Sequence, residues 1–208
     1  MRDARLRLLK TYASLAQRGE HLLGSLFGDS APRQWSHYPD DDAFDQKSGF
    51  QWFYHSHAPE DRPGAAEHGH IHLFVRRKLW SRRLQSAREQ NFKSLAGNST
   101  LDPDTRHLLC IGIDAKGIPR SLFTVNSWVT GDRMLSAVTT EKILDRLKLN
   151  TGNKEIDTVI ECVVTLCRQE IRILLEERDR FLFSRSSRDI LADENFELLS
   201  EHPIDLDK

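Results

Sequence analysis

Cysteine and long apolar runs are both scarce in this sequence. Three cysteines occur in 208 residues, each within an apolar strand or helix pattern, at Cys110, Cys162 and Cys167. Reduced thiols in such surroundings behave as small hydrophobic side chains, so none is assigned a catalytic or metal role. No stretch approaches the roughly eighteen apolar residues that span a bilayer. Charged side chains interrupt the first ten positions, so these positions cannot form the apolar core of a signal peptide. We therefore expect a protein of the cytosol with no membrane partner.

An excess of charge of one sign is also missing. Thirty basic and thirty-one acidic side chains leave a net charge of −1, which argues against a protein built mainly to bind nucleic acid. The sequence has no Gly-rich phosphate loop, G-x-S-x-G motif or C-x-x-C pair, and this disfavours nucleotide-dependent and serine-hydrolase chemistry. Residues 76–93 are a local exception, with seven basic side chains against Glu89. A solvated helix face is the favoured interpretation of this segment, and RNA binding is a weaker alternative.

Apolar periodicity predicts one α+β domain over residues 1–208. Its expected parts are an N-terminal helix in 1–28, a sheet region in 29–150, a long helix in 151–183 and an acidic tail in 184–208. Strand patterns occur at 50–57, 67–76, 107–114 and 120–126, and the tail offers either an edge strand near 196–200 or a solvated end. The sequence thus predicts an antiparallel sheet of about four to five strands with helices packed on one face and a His-rich hairpin on the other.

Histidine is concentrated in one segment, FYHSHAPEDRPGAAEHGHIHLF. Two adjacent strand patterns hold five of the nine histidines, namely His55, His57, His68, His70 and His72. Side chains alternate between the faces of a strand, and a sheet with one buried face must place Trp52 and Tyr54 on the side of the apolar residues of the next strand. That requirement sends all five histidines to the opposite face.

Imidazoles on opposed strands lie close enough to share an ion, because directly paired Cβ atoms are roughly 5 Å apart. Three or four neutral imidazoles suit a divalent transition metal such as Zn, Fe, Mn, Ni or Cu. The predicted ligands are His55, His57, His68, His70 and His72. Since one ion rarely binds five histidines, one or two of them would orient the others, admit a substrate or serve a two-metal centre. A polar network without metal is the alternative.

Glu67 is the candidate acid–base residue beside this cluster. Strict alternation points it away from the histidines, whereas a bulge at Gly69 would turn it to their side. Asp45 in the preceding loop is another candidate for moving protons. Two further histidines, His37 and His107, are weaker candidates for the same face.

The stretch TVNSWVTGD offers candidate substrate-binding residues at the end of a strand. Asn126 and Trp128 are two positions apart, so in a strand their side chains lie on the same face. They can present a hydrogen-bonding amide and a stacking platform to a small molecule. A tryptophan in the core followed by a plain turn is an equally compatible interpretation.

The motifs WSHYP, YHSH, EHGHIH and LFTVNSWVTGD, in this order before a long helix, resemble an uncharacterised bacterial family, a domain of unknown function. The resemblance covers most of residues 35–182 and implies one shared site but no reaction. The positions that carry it are Tyr54, His55, His57, Glu67, His68, Gly69, His70, His72, Asn126, Trp128, Val129, Thr130 and Gly131. The segment VRRKLWSRR after Phe74 is more basic than the family pattern, so its charge is not carried over to the shared site.

These patterns favour a metal-dependent enzyme of the hydrolase or oxygenase type, in which an open coordination position activates water or dioxygen against a small-molecule substrate. A non-catalytic module that binds or senses a metal is the alternative. A cavity beside the metal, bounded by aromatic side chains such as Trp35 and Trp128, would favour catalysis.

Overall fold

A computed structural model describes residues 1–28, 32–57, 67–96, 103–185 and 190–206. Six strands form one sheet in chain order, and every neighbouring pair is antiparallel. The strands are β1 (Tyr38–Phe44), β2 (Phe50–Ser56), β3 (Gly69–Arg76), β4 (Thr105–Ile113), β5 (Pro119–Val125) and β6 (Leu198–Pro203). The predicted α+β class is confirmed, with one strand more than the upper expectation.

Eight α-helices flank this sheet in the described part of the chain. They are α1 (Arg2–Arg18), α2 (Gly24–Phe27), α3 (Arg77–Trp80), α4 (Ala87–Lys93), α5 (Ser127–Thr130), α6 (Ala137–Leu144), α7 (Lys154–Leu166) and α8 (Arg168–Ser184). None of the described helices has the length and apolar content needed to cross a bilayer.

Helix α1 is shorter than the periodicity of residues 3–27 predicts. Gly19 adopts a φ of 65°, and its amide bonds the carbonyls of the last turn, which ends the helix at Arg18. The apolar pattern continues because Leu22 and Leu23 are buried in the following turn. Periodic burial therefore persists where the helix itself has stopped.

The additional strands come from the two segments that look most polar. β1 has the sequence YPDDDAF, and only Ala43 within it is buried, because β1 is an edge strand with much of its surface in solvent. At the other edge, β6 forms from the acidic tail and pairs with β5 from Ser121 to Val125. The tail is thus part of the sheet between 198 and 203.

The predicted long helix is two helices that meet at Cys167. This residue leaves the helical conformation, with φ −95° and ψ 27°. Helix α7 packs against α1, whereas α8 packs against β5 and β6, so the axis changes direction between them. No glycine or proline marks the break, which is why periodicity predicts a continuous element.

The main hydrophobic core lies on one face of the sheet. Trp52, Tyr54, Ile71 and Leu73 from β2 and β3 are fully buried there, and they pack in one cluster with apolar side chains of α1, α6, α7 and α8. Trp52 also donates its indole N–H to Asp157 in α7, at 2.9 Å. The helices therefore cover the face predicted to be apolar and leave the opposite face for the histidines.

Candidate metal centre

The hairpin of β2 and β3 has the register that the alternation of apolar residues requires. His55 is directly paired with His70, and Phe53 with His72, so these side chains share one face. Trp52 pairs with Leu73 and Tyr54 with Ile71 on the other face. The predicted convergence of imidazoles from two neighbouring strands is thus present.

Three ring nitrogens meet at the centre of this cluster. His55 Nε2 lies 2.8 Å from His70 Nε2, His70 Nε2 lies 2.9 Å from His72 Nε2, and the third side measures 3.3 Å. His57 extends the group, because its Nε2 is 3.1 Å from that of His55 and its ring stacks on His70. Nitrogens about 2.1 Å from one ion are about 3.0 to 3.4 Å apart at octahedral or tetrahedral angles. The Nε2 atoms therefore have nearly the spacing of ligands around a common ion.

Burial keeps two of these imidazoles, His55 and His72, neutral. Desolvation lowers the pKa of His55 to about 3, with smaller contributions from the positive charges that His57 and His37 would carry. Desolvation likewise holds the pKa of His72 well below its usual value. A neutral imidazole has the free lone pair that a metal needs. His55 and His72 therefore have the protonation state that a group able to hold a metal needs at neutral pH.

An aromatic rim borders the outer side of the cluster. The Trp35 ring is 58% exposed and contacts the His57 ring edge-on, with centroids 4.7 Å apart. His37 stacks on Phe53 at 3.7 Å and hydrogen-bonds Asp42. His57 is only half-buried, so solvent reaches the cluster on the side of His57 and Trp35.

Glu67 reaches the histidine face without a bulge at Gly69. The β2–β3 register runs unbroken to Gly69, but Glu67 precedes the strand and is not bound by its alternation. A Cβ built on Gly112 would lie 2.6 Å from Glu67 Oε2, and Gly112 is the ladder partner of His70. Ser121 donates its hydroxyl to the same carboxylate oxygen at 2.7 Å. The carboxylate thus occupies space that only glycine at position 112 leaves open.

His68 does not join the other four histidines of the hairpin. Its ring is exposed, and Nδ1 lies 3.0 Å from the hydroxyl of Tyr54, which belongs to the core face. Gly69 makes this possible, because a side chain there would collide with the Tyr54 ring. His68 also precedes β3, so the alternation of side chains along that strand does not place it on the same face as His70.

Cys110 and His107 lie against the inner side of the cluster. Cys110 pairs with His72 across β3 and β4, and its Sγ is 3.3 Å from His72 Nδ1 and 3.5 Å from His107 Nε2. His107 Nε2 is in turn 3.2 Å from His72 Nδ1. Cys110 packs with Phe123 and Val125, as the apolar pattern predicts, and its thiol also belongs with His70 and His72 to a set of buried groups that could hold a metal. The sequence alone does not show that Cys110 and His107 meet His72, because this contact depends on the β3–β4 register and on its shift next to Leu73.

A family model described as "Domain of unknown function (DUF6969)" matches residues 2–204. The chain belongs to the DUF6969 family. No curated protein and no solved structure matches it. The predicted membership in an uncharacterised domain family is confirmed. Because this membership carries no reaction, any function of the DUF6969 domain has to be argued from its site.

Asn126 and Trp128 have structural partners at the far end of β5. Asn126 is fully buried, and its amide donates to the carbonyls of Ile190 and Asp193 while its oxygen accepts from Ser127 N. Trp128 is partly exposed and donates its indole N–H to the Phe196 carbonyl. In this DUF6969 chain the two residues hold the segment before β6 against the sheet.

Asp45 serves the β1–β2 turn. Its carboxylate accepts hydrogen bonds from Lys47 N, from both polar groups of Ser48 and from Asn150 N. Burial raises the pKa of Asp45, but the bonds from Ser48, Lys47 and Asn150 outweigh it and leave the pKa lowered. The carboxylate is thus an occupied acceptor in the turn.

Much of the basic segment is used within the domain. Arg76 donates to Gln51 and Arg77 to Asp104, and Lys78 donates to the carbonyls of Gln46 and Lys47. These contacts fasten the start of α3 to the β1–β2 turn and to the approach to β4. They explain part of the local charge without a nucleic acid.

Proposed function

We propose that this protein binds a divalent transition metal through the Nε2 atoms of His55, His70 and His72, with His57 as a fourth ligand on the solvent side. The observation that carries the proposal is the mutual approach of the first three nitrogens to between 2.8 and 3.3 Å. One cation among three neutral imidazoles at this spacing would accept a lone pair from each of them.

The donor set suits borderline transition metals. Imidazole nitrogens favour Zn, Cu, Fe and Ni, while Ca and Mg prefer oxygen ligands. Aromatic and aliphatic side chains surround the histidines on their own face, including Phe53, Phe74 and Phe123. Such surroundings exclude water from the inner side, so among the described residues it is at His57 and Trp35 that the metal would meet solvent. We infer that substrate also enters there.

Catalysis is the finer part of the proposal. If His57 is displaced or the coordination number exceeds four, the metal would have a further coordination position for water or dioxygen, and such a position supports hydrolysis or oxidation. Glu67 is the residue we assign to proton transfer, because its carboxylate lies beside the His70 position and Ser121 fixes one of its oxygens.

Metal content of protein purified without a His-tag tests the binding step. We expect wild-type protein to retain at least about one transition-metal ion per chain. The double variant His55→Ala, His70→Ala should retain almost none. His202→Ala is the matched control, since His202 lies on β6 and pairs with Glu177 of α8 and not with the cluster. Equal metal content in the wild type and the double variant would refute the proposal.

A non-catalytic metal-binding module is the second candidate. It is favoured if His57, with its Nε2 3.1 Å from that of His55, completes a closed tetrahedral set. The cobalt-loaded protein separates the two: azide changes the visible spectrum when a coordination position is open and leaves it unchanged when four histidines close the shell. A spectral change only after His57→Ala would support the module and oppose the enzyme.

A further inference from the structure

His72 presents each of its two ring nitrogens to a different donor group. Nε2 faces His70 and His55, at 2.9 and 3.3 Å. Nδ1 faces Cys110 Sγ at 3.3 Å and His107 Nε2 at 3.2 Å. We propose a second metal site formed by His72 Nδ1, His107 Nε2 and Cys110 Sγ, with His72 bridging two ions. The inference rests on the proposed function, because the first ion occupies His72 Nε2.

The spacing of the three inner donors matches that of ligands on one ion. Zinc binds nitrogen at about 2.0 Å and sulfur at about 2.3 Å, so tetrahedral angles separate two nitrogens by about 3.3 Å and nitrogen from sulfur by about 3.5 Å. The observed separations are 3.2 Å between the nitrogens and 3.3 and 3.5 Å between nitrogen and sulfur. An ion fits among these atoms with little movement of the side chains.

The inner donors are buried and held by the sheet. Cys110 and His107 are on β4, and Cys110 is the direct ladder partner of His72 on β3. All three side chains are at most 2% exposed. Their positions are therefore set by the backbone register, as expected for a preorganised site.

Protonation is compatible with binding of a cation. Burial lowers the pKa of His107 to about 3, with a smaller contribution from the charge of Arg178, so His107 is neutral. A second ion displaces two protons, one from the Cys110 thiol and one from His72 Nδ1. The thiolate and the bridging imidazolate that result carry two negative charges against the two of the incoming ion. Arg178 pairs with Asp179 at 2.6 Å, which reduces its repulsion of that ion.

The donors also define the class of metal. A thiolate with two imidazoles favours zinc or copper over manganese, magnesium or calcium. The outer site, made of imidazoles alone, discriminates less sharply among transition metals. We therefore expect zinc or copper at the inner position whatever ion the outer one holds.

Stoichiometric loading of the full chain with Co²⁺ tests the second site. We expect two ions per wild-type chain, together with near-ultraviolet absorption from thiolate-to-cobalt charge transfer. Cys110→Ser should bind about one ion and lose this absorption. Cys162→Ser is the matched control, because Cys162 is an equally buried thiol in the helical core, and it should behave as the wild type.

The outcomes separate this inference from the proposed function. One ion per wild-type chain without charge-transfer absorption overturns the second site and leaves the first intact. No bound ion overturns both. Absorption that survives in Cys110→Ser also overturns the inner site, and the wild-type spectrum decides the question even if a variant fails to fold.

Discussion

The buried imidazoles make stability depend on pH in a defined direction. In the unfolded chain a histidine takes up a proton near pH 6.5, whereas burial lowers the pKa of His55 and His107 to about 3 and that of His72 well below 6.5. Below pH 6.5 the unfolded state therefore binds more protons than the metal-free folded state. Folding stability consequently falls as the pH falls from 6.5 toward 3.

At pH 5.5 we expect each of these histidines to lower the free energy of unfolding by about 1.4 kcal/mol, and the three together by about 4 kcal/mol. Urea titrations of the metal-free protein at pH 7.5 and 5.5 measure the difference. In His107→Asn the difference should shrink by about 1.4 kcal/mol. A free energy of unfolding that does not change between these pH values would show that the imidazoles are not held neutral.

Gly112 leaves the space in which Glu67 lies. A methyl group at this position would collide with Glu67 Oε2 and Ser121 Oγ, so we expect Gly112→Ala to lower the free energy of unfolding by about 1 to 3 kcal/mol and to displace the carboxylate. Thermal unfolding measures the loss. In a Ser121→Ala background one of the colliding atoms is absent, and the added cost of Gly112→Ala should be smaller; an equal cost would contradict this geometry.

The sequence predicts residues of the site only where strand alternation applies. His55, His70 and His72 lie within paired strands, so the apolar pattern alone assigns their face. Glu67 and His68 precede β3, where contacts with Ser121 and Tyr54 decide their direction instead. Such contacts join segments far apart in the chain, and one-dimensional periodicity carries no information about them.

The connection between β5 and β6 depends on Asn126. Its amide donates to the carbonyls of Ile190 and Asp193, and no solvent reaches it. We expect Asn126→Ala to lower the free energy of unfolding by about 1 to 3 kcal/mol, because buried backbone carbonyls lose their donor. Faster amide exchange in 198–203 should accompany the loss, with metal content unchanged.

Trp128→Phe is the control for this variant. It removes one partly exposed hydrogen bond, to the Phe196 carbonyl, and keeps an aromatic ring. We expect a smaller effect on exchange in β6. Loss of metal from Asn126→Ala with β6 still protected would instead connect Asn126 to the histidine cluster.

Helix α7 is joined to the sheet through a buried carboxylate. Asp157 accepts from Trp52 Nε1 and from the backbone and hydroxyl of Thr151, while burial raises its pKa despite these bonds. Asp157→Ala should lower the free energy of unfolding by about 1 to 3 kcal/mol, since the indole N–H loses its partner. Asp157→Asn keeps an acceptor oxygen, so chemical denaturation should show a smaller loss; equal losses would contradict the role of the Trp52 bond.

The sequence predicts those helices and strands in which apolar residues recur at regular spacing. The four strands β2 to β5 and the helical nature of residues 154–184 follow from such patterns. The break at Cys167 and the edge strand β1 do not, because tertiary packing turns one helix and recruits one polar segment. Edge strands and helix breaks without glycine or proline are the features for which local sequence holds the weakest signal.

Across the whole molecule, the sheet separates a helix-covered core from the histidine face. The core relies on apolar burial, while the opposite face gathers imidazoles whose Nε2 atoms lie 2.8 and 2.9 Å apart. A metal that binds only the folded state adds stability by mass action.

Metal addition should therefore raise the melting temperature of metal-free protein. At a free concentration one hundred times the dissociation constant, one site contributes about 2.7 kcal/mol, or about 5 to 10 °C for a domain of this size. Calorimetric scans with and without Zn²⁺ measure the shift. His55→Ala, His70→Ala should show almost none, whereas a shift of the same size in that variant would place the ion elsewhere.

X-ray absorption spectroscopy of the untagged, zinc-loaded protein is the most direct test of the site. Convergence of the histidine Nε2 atoms predicts a first shell that contains at least three nitrogens at about 2.0 to 2.1 Å, with the outer scattering pattern of imidazole rings. A shell of oxygen ligands without imidazole scattering would contradict it.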